Sequence, residues 1–438
     1  MQLLARRRQR VQPARLIPAH VQLSDDFLVV GGREFTRNQL GKVIIIGAGK
    51  ASAAMAVSIE QALRPVISAG IIITKYGHSL PLEKIKCLEA GHPVPDTNGV
   101  ECTLEMLNLL DNLEEKDLVL FLVSGGASAL MADIPPDLAI EDLQDAVRLL
   151  LGSGANIDEI NCVRKHLSLV KGGQLAKKIF PAILVSLILS DVNGDDLSVI
   201  ASGPTVPDPS TFEDALEILN RYNLTLNVRP AIIGRLKAGA VGLVEETPKA
   251  GDPAFKRTSN FLIGTNKVSL DAALKVATGF GYHSKIINSA LEGEAEEQAA
   301  IFVDACMLYK GPRPACLLMG GETTVTIRGQ GLGGRNQHFV LASLCGLIKR
   351  GIDPSDAPVI LSGGTDGSDG PTDATGAVTD GAQMESLIKT GNAGQAIESV
   401  IMYLNKNDAY HFFEKYGGLI KTGPTQTNVM DLVIGIVR

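Results

Sequence analysis

The chain has 438 residues, of which 45% are hydrophobic and 20% charged, and it contains 46 glycines and no tryptophan. This length favours two domains over a single core. The net charge of −7 and the aromatic share of 4% argue against nucleic acid as a partner, because they provide neither a basic field nor stacking platforms. A membrane partner is also not expected, since no apolar run reaches the ~20 residues of a spanning helix.

The N-terminal segment is basic. It carries Arg6, Arg7, Arg8 and Arg10 and has no acidic residue before Asp25. A targeting arm would have this charge, but the segment has no serine before position 24, so we interpret it as an exposed basic segment. Six cysteines without C-x-x-C spacing are typical of reduced thiols, which predicts a cytoplasmic protein.

In the first half of the chain, short apolar runs lead into glycine turns and then into helical patterns. They predict strands at 43–46, 70–74, 118–123 and 183–189, and a helix at 51–62. Continuous apolar runs of this length are typical of a parallel sheet that is covered on both faces. Such sheets bind ligands beyond the carboxyl ends of their strands, where these glycine turns lie.

The segment 236–257 interrupts this rhythm with three glycines and two prolines, and it is the predicted linker. A second α/β unit is predicted beyond it. Because 323–328 alternates and closely follows another strand pattern, the second sheet is expected to be mixed. The predicted helices of this unit are 269–278 and 295–308, and the predicted strands are 260–264, 284–288, 316–319, 323–328, 359–361 and 432–437.

Residues 47–50 (GAGK) place Lys50 between the first predicted strand and the following helix. The N-terminus of a helix attracts anions through its N–H groups, and Lys50 adds a full positive charge. The motif has neither the spacing of a Walker A loop nor the third glycine of a dinucleotide fingerprint. Taken alone, it also fits a tight turn with an exposed lysine.

A second glycine-rich stretch, 331–338 (GLGGRNQH), sets Arg335 directly after Gly333 and Gly334. Glycine lets the backbone approach a ligand closely, and the planar guanidinium suits carboxylate or phosphate. This pattern indicates a loop that holds a small anion. A tight turn with a solvated arginine is the alternative for such a stretch on its own.

Acidic residues follow three further apolar runs, at Asp191, Glu322 and Asp366. Carboxylate oxygens beside a phosphate chain are what Mg²⁺ uses in proteins. An Asx-turn would account for any one of the aspartates. Their recurrence at three strand ends favours a divalent cation.

Several long motifs, in this order along the chain, resemble the glycerate 2-kinase family, the second class of glycerate kinases. The resemblance covers nearly the whole chain. In the first half it rests on 46–51 (IGAGKA), 90–96 (AGHPVPD), 124–129 (SGGASA), 164–176 (RKHLSLVKGGQLA) and 189–196 (LSDVNGDD). In the second half 320–323 (GGET), 333–337 (GGRNQ), 364–370 (GTDGSDG) and 423–429 (GPTQTNV) resemble the family's MOFRL domain.

The resemblance implies an α/β fold with a Rossmann-like N-terminal domain over 1–250, built on a parallel sheet. It implies a MOFRL-type α/β domain with a mixed sheet over 255–438, and an active site in the cleft between the two domains. The implied reaction is the ATP-dependent phosphorylation of D-glycerate, commonly at O2, to give 2-phosphoglycerate and ADP. Mg²⁺ or another divalent cation is the implied cofactor.

By resemblance, Lys50 and Arg335 match the family's functional lysine and arginine. Because phosphoryl transfer depends on positioning and charge neutralisation, we expect Lys50 at the transferred phosphoryl group. Arg335 is expected at the glycerate carboxylate or at the transition state, and Asp191 is the third expected catalytic residue. The expected metal ligands are Asp191, Glu322 and Asp366. The residues expected to bind glycerate or nucleotide are Gly47, Gly49, Ser124, Gly125, Gly126, Ser128, Asn193, Gly333, Gly334 and Asn336.

Two other functions stay open. Members of the family have often been labelled hydroxypyruvate reductases, but neither half of the chain offers a complete fingerprint for NAD(P)H. A non-catalytic protein that binds small anions would use the same loops, although the acidic clusters would repel an anion. The expected partners are glycerate and ATP. The sequence allows a homodimer but does not fix the oligomeric state.

Overall fold

The computed structural model describes residues 11–438, so the basic positions 6, 7, 8 and 10 lie outside the described residues. The described chain forms two compact units, one of residues 13–263 and one of residues 264–438, with residues 11 and 12 grouped with the second. Within 11–438 no helix has both the length and the apolar character needed to cross a membrane.

After its first helix, Pro13–His20, the first unit contains a small antiparallel sheet that the sequence did not predict. It consists of β1 (Val21–Leu23), β2 (Phe27–Val30) and β3 (Arg33–Thr36). The main sheet follows and has six strands. They are β4 (Val43–Ala48), β5 (Ala69–Lys75), β6 (Ile85–Ala90), β7 (Leu118–Val123), β8 (Ile183–Leu189) and β9 (Thr258–Gly264).

The order of strands across this sheet is β6-β5-β4-β7-β8-β9, and the pairs from β6 to β8 are all parallel. Every residue of β4 and of β7 is buried, as expected for strands that are covered on both faces. The predicted parallel sheet is therefore confirmed. Because the chain turns back between β6 and β7, β4 and β7 are neighbours, and a topological switch point lies between them.

Some helices of the first unit pack against this sheet, whereas Ile140–Ser153, Ile157–His166, Phe212–Arg221 and Pro230–Ala240 pack against one another in a separate apolar core. Helix Ser52–Leu63 follows β4, and helices Ile140–Ser153 and Ile157–His166 lie in the long connection between β7 and β8. The other helices are Pro13–His20, Thr97–Leu109, Ala127–Leu130, Gln174–Ile179, Phe212–Arg221, Pro230–Ala240 and Pro253–Lys256, with 3₁₀ turns at Arg37–Gln39, Asn193–Asp195 and Ile200–Ser202.

The second unit contains a mixed six-stranded sheet, as the sequence predicted. Only one pair, β10 (His283–Leu291) with β11 (Ala315–Gly321), is parallel, and the other pairs are antiparallel. The remaining strands are β12 (Val359–Gly364), β13 (Gly376–Thr379), β14 (Leu419–Ile420) and β15 (Asp431–Val437), in the order β10-β11-β15-β12-β13-β14. Its helices are Asn266–Gly279, Ala295–Met307, Arg335–Lys349, Gly381–Lys389, Ala393–Asn405 and Ala409–Tyr416.

Three features of the second half differ from the sequence prediction. The strand expected at 260–264 is β9, which joins the first sheet beside β8. The segment 236–257 lies inside the first unit, and the change of unit falls between Ile263 and Gly264.

The third difference is that 323–328 is not a strand. Thr324 makes only an isolated bridge with Glu294. The Glu294 carboxylate accepts hydrogen bonds from the Thr326 N–H at 3.2 Å and from the Thr326 hydroxyl at 2.9 Å. A side chain thus takes the place that a neighbouring strand would have in a ladder.

Candidate active site

The turn that carries Lys50 is locked to the end of the parallel sheet. The Gly49 N–H donates to Ile73 O at 3.1 Å, and the Lys50 N–H donates to Gly125 O at 2.9 Å. Gly49 has a φ of 137°, and a Cβ at this position would lie 2.1 Å from Ser124 Oγ. Only glycine satisfies both conditions, so the turn cannot be built with another residue without a shift of the loop that follows β7.

The loop after β7 closes on this turn from the other side. Ser124 Oγ accepts a hydrogen bond from the Ala51 N–H at 2.9 Å. Gly126, with a φ of 85°, starts the short helix Ala127–Leu130. A Cβ on Gly126 would lie 2.8 Å from the His92 ring and 3.5 Å from Lys50 Cγ, so the stem of Lys50 passes directly beside this glycine.

A cavity of about 700 Å³ opens at the carboxyl ends of these strands. Ser124, Gly126 and Ser128 line it from the loop after β7, and Asp191 lines it from the loop after β8. This location matches the rule that doubly wound sheets bind ligands beside their switch point. Much of its wall is apolar, formed by Pro93, Val94, Pro95, Leu143, Val147, Leu151, Ile160, Val192 and Val199.

Two buried or partly buried cations, Arg164 and Lys171, line the same cavity. Burial lowers the pKa of both groups, and the nearby Asp133 carboxylate opposes that effect. Lys171 Nζ donates to Asp133 Oδ1 at 2.9 Å and to Met131 O at 3.0 Å, so its charge is neutralised within the protein. Arg164 instead donates to a neutral group, Ser128 O, at 3.2 Å.

The helix that carries Arg164 is fixed by its first turn. Asn156 Oδ1 accepts from the Glu159 N–H at 2.9 Å, and the Glu159 carboxylate accepts from the Asn156 N–H at 3.0 Å. This reciprocal cap is encoded by the sequence N-x-x-E. Most of the helix is buried, with Ile160 and Val163 in the apolar core that it shares with the neighbouring helices, and Arg164 lines the cavity.

The structure brings together only some of the predicted residues of the first unit. Ser124, Gly126, Ser128 and Asp191 line the cavity. Gly49, Lys50 and Gly125 form the interlocked turns beside it. Gly47 lies inside β4, where a Cβ would meet Leu122 O at 2.7 Å, and Asn193 starts a 3₁₀ turn two residues after Asp191.

The sequence prediction did not select Arg164, Lys171 or His92, although all three line the cavity. They lie within two of the motifs that carry the family resemblance, 164–176 and 90–96. The available signal was therefore the motif itself. It was missed because the prediction gave weight to glycine turns that directly follow predicted strands, and Arg164 and Lys171 lie instead within and after a helix.

In the second unit, Arg335 is the first residue of helix Arg335–Lys349, with Gly334 as its N-cap. The Asp369 carboxylate accepts the Asn336 N–H at 3.0 Å and the Gln337 N–H at 2.8 Å. Burial raises the pKa of Asp369 to about 6, and these two N–H donors oppose that rise. A Cβ on Gly334 would lie 2.3 Å from Asp369, so this helix start also requires glycine.

The Arg335 guanidinium is held by carboxylates. Its Nε and Nη2 donate to the two oxygens of the buried Asp431 at 2.5 and 3.0 Å, and its Nη1 lies 2.6 Å from Glu322 Oε1. Burial disfavours the charged guanidinium, but Asp431 more than compensates and the pKa of Arg335 is raised. The side chain stays 33% exposed. Arg335 is thus always positively charged. The edge of its guanidinium formed by Nε and Nη2 is already occupied by the Asp431 carboxylate.

The other predicted residues of the second unit surround this helix start. The Asn336 side chain is buried and joins Asp369 and Ser362 through hydrogen bonds of 3.2 and 2.6 Å. Asp366 Oδ1 accepts from the Ser368 N–H at 3.0 Å, as an Asx-turn does. Gly333 directly precedes the N-cap. Within residues 11–438, no group of three His, Cys, Asp or Glu side chains is arranged to hold a metal ion.

Comparison with known proteins identifies relatives along the whole chain. A family model described as "Domain of unknown function (DUF4147)" matches residues 2–237, and the MOFRL family model matches residues 315–431. The chain is 42% identical to D-glycerate 2-kinase of Thermotoga maritima, with 91% of each chain covered. It is 39% identical to a protein of Agrobacterium vitis that is provisionally named hydroxypyruvate reductase, over 90% of this chain and 86% of the relative.

A solved structure supports the same grouping. The crystal structure of glycerate kinase from Thermotoga maritima matches with a TM-score of 0.84 and 37% sequence identity, covering 100% of this chain and 98% of that chain.

The Gly49 turn leads to a stability prediction. We expect Gly49→Ala to lower the free energy of unfolding by about 3 kcal/mol, because it combines a left-handed backbone with a clash at Ser124. Gly77→Ala is the matched control, since Gly77 has a φ of 76° but open space around its Cβ position. It should cost only about 1 kcal/mol. Urea denaturation measures both, and equal losses for the two variants would show that the contact with Ser124 is unimportant.

Proposed function

The chain belongs to the family of glycerate kinases that carry a MOFRL domain, and from this premise we propose that it transfers the γ-phosphoryl group of ATP to D-glycerate. The observation that carries the proposal is the cavity at the switch point, with Lys50 beside it and Ser124, Gly126 and Ser128 in its wall. Phosphoryl transfer requires this kind of preorganised positive charge and close backbone approach more than covalent chemistry.

Lys50 is the proposed contact of the transferred phosphoryl group. Its backbone is fixed by the hydrogen bond to Gly125 O, and its stem passes Gly126 in the cavity wall. An ammonium group on a fixed turn needs little reorganisation as charge develops on the phosphoryl oxygens. The loop 124–128 is proposed to let the substrates approach the backbone, and the glycines at 47 and 49 are proposed to support the site by letting this turn pack directly against β7 and Ser124.

Asp191 is the proposed carboxylate for the substrate hydroxyl or for a divalent cation, because it lines the same cavity. A Mg²⁺ ion that arrives with ATP typically keeps several waters and uses one or two protein carboxylates, and it neutralises charge on the phosphates. Asp191, with Asn193 two residues later, fits that modest requirement. Glu322 and Asp366 remain proposed ligands, although each already contacts a protein partner, Arg335 and Ser368 respectively.

For Arg335 we propose a role at the charge that develops in the transition state. Its bidentate edge faces Asp431, which leaves it less suited to clamp a carboxylate. Its raised pKa keeps it positively charged at every working pH, and a third of the side chain is exposed. We propose that Gly333, Gly334 and Asn336 support this arginine by fixing the helix start.

A direct assay tests the proposed reaction. The protein with ATP, Mg²⁺ and D-glycerate should release ADP, and release should require both ATP and glycerate. The second arm uses NADH and hydroxypyruvate, because a relative carries the name of a reductase. We expect no NADH oxidation, since Lys50 stands in the glycine turn where a dinucleotide fingerprint would continue. NADH oxidation without ADP formation would show that the protein is a reductase and not a kinase.

We further propose that phosphorylation occurs at O2 of glycerate, as the name of the Thermotoga maritima relative states for that protein. Phosphorus NMR of the product separates the two isomers, because a phosphate at O2 couples to one carbon-bound proton and a phosphate at O3 couples to two. A cytoplasmic location and a homodimer stay predictions from the sequence.

The first catalytic prediction concerns Lys50. We expect Lys50→Ala to lower kcat by at least about 100-fold, in line with the loss of one preorganised charge at a reacting phosphoryl group. Lys86→Ala is the matched control, because Lys86 pairs with Glu105 on the surface. It should leave turnover unchanged. Near-normal turnover by Lys50→Ala would show that Lys50 does not contact the transferred phosphoryl group.

The second catalytic prediction concerns Arg335. A lysine cannot reproduce two parallel bonds to Asp431 and a third contact to Glu322, so we expect Arg335→Lys to lower kcat about 10- to 100-fold. The KM for glycerate should change much less. Arg350→Lys is the control at the other end of the same helix, because Arg350 donates to Gly346 O and pairs with the half-exposed Asp304. A rise confined to the KM for glycerate would instead assign Arg335 to the carboxylate.

A further inference from the structure

We propose that Arg164 and Ser128 form the subsite that recognises the hydroxy-acid end of the acceptor substrate: Arg164 binds the carboxylate of glycerate, and Ser128 Oγ accepts a hydrogen bond from a glycerate hydroxyl. This inference rests on the proposed kinase function and adds to it the residues that select the acceptor.

The first step is the state of Arg164. It lines the cavity, and the hydrogen bond that the structure shows for it runs to a carbonyl, Ser128 O, at 3.2 Å. Within the described residues, no carboxylate forms an ion pair with this guanidinium, and Asp133 acts on it only through longer-range attraction. A guanidinium has five N–H donors. After one bond from Nη2 to Ser128, a complete two-donor edge remains for an external carboxylate.

The second step is a comparison with the other cations around the cavity. Lys171 is paired with Asp133. Arg148 is paired with Asp145, and its side chain is 75% exposed. Arg164 differs from both because no carboxylate in the described part of the chain forms an ion pair with it, and it is more buried than Arg148. In a cavity that largely excludes water, an arginine without a paired acid attracts an incoming carboxylate more strongly than a solvent-exposed arginine does.

The third step is the direction of hydrogen bonding at Ser128. Ser202 Oγ donates to Asn161 Oδ1 at 3.1 Å. Because a hydroxyl carries one proton, Ser202 can only accept in its 3.0 Å contact with Ser128 Oγ. The Ser128 hydroxyl must therefore be the donor in that contact. Its oxygen is left as an acceptor in the cavity wall, which suits a substrate O–H group.

Together these groups match a hydroxy acid in chemistry. The same residue, Ser128, holds Arg164 through its carbonyl and presents its hydroxyl oxygen, so the carboxylate and hydroxyl positions are fixed relative to each other. A phosphate of ATP could also bind a guanidinium, but it carries no hydroxyl for Ser128 to accept at neutral pH. The combination therefore favours glycerate over the nucleotide.

The test compares Arg164→Met and Arg164→Lys with Arg148→Met, which removes an arginine at the same cavity that is already paired with an acid. We expect Arg164→Met to raise the KM for D-glycerate about 10- to 100-fold, the loss typical of a charged hydrogen bond, and to leave the KM for ATP unchanged. Arg164→Lys should recover part of the affinity. Arg148→Met should behave as the wild type.

Propionate separates the two halves of the subsite, because it has the carboxylate but no hydroxyl. As a competitive inhibitor it should bind Arg164→Met much more weakly than the wild type. Ser128→Ala should weaken glycerate binding and leave propionate inhibition intact. If Arg164→Met does not fold, the outcomes for Arg164→Lys and Ser128→Ala decide the question in the same way.

The inference is overturned if Arg164→Met changes the KM for ATP and not that for glycerate, since the bound oxyanion would then be a nucleotide phosphate. It is also overturned if both kinetic constants are unaffected, because Arg164 would then only tether the loop after β7. Calorimetric titration of glycerate and propionate into the wild type and Arg164→Met, without nucleotide, measures binding at this subsite even if no ADP is formed. A failure of the kinase proposal is thus distinguishable from a failure of the subsite.

Discussion

The contact between the turns after β4 and β7 is the constraint on which the rest of the first unit's site depends. Neighbouring strands whose chains leave in opposite directions open a crevice at their carboxyl ends. Here Ser124 Oγ and Gly125 O tie that crevice together through the backbone of Ala51 and Lys50. Since no side chain fits at Gly49, the backbones meet directly, and the positions of Lys50 and of the loop 124–128 are set by the sheet itself.

Two arginines illustrate why the surroundings of a charge matter more than its local sequence. Arg335 stands in a glycine-rich stretch that suggests anion binding, yet Asp431, 96 positions later, occupies its fork. Arg164 stands near the end of an ordinary amphipathic helix, yet it faces a cavity with a carbonyl as its hydrogen-bond partner. Sequence shows which residues can carry a charge. The fold decides which of those charges is left to meet a ligand.

The same reasoning explains what could be predicted from the sequence. The buried parallel strands could be predicted because continuous apolar runs of four to seven residues are typical of such strands. The turns after them located the two loops that carry Ser124 and Asp191. Strand 260–264 was assigned to the wrong sheet, because a run of apolar residues predicts a strand but does not show with which other strand it pairs. The run 323–328 was taken for a strand because its alternation is real, but its hydrogen-bond partner is the Glu294 side chain. For Arg164 the signal was its place in the motif 164–176, and its position on a helix hid that signal because a charge on a helix is normally solvated.

A polar chain runs from Ser128 in the cavity wall through Ser202 to the side chain of Asn161 in helix Ile157–His166. Ala201 and Ser202 have φ values of 53° and 60°, in a region that costs non-glycine residues about 1–3 kcal/mol each. Hydrogen bonds hold them there: the Ser202 carbonyl accepts the Gly172 N–H at 3.0 Å, and the Ser202 N–H donates to Val199 O at 2.9 Å. A relaxed backbone would carry Ser202 Oγ away from Ser128 and leave the Ser128 proton without its acceptor. The strained backbone therefore maintains the orientation of the Ser128 hydroxyl, and that orientation determines whether the cavity wall offers a donor or an acceptor to a ligand.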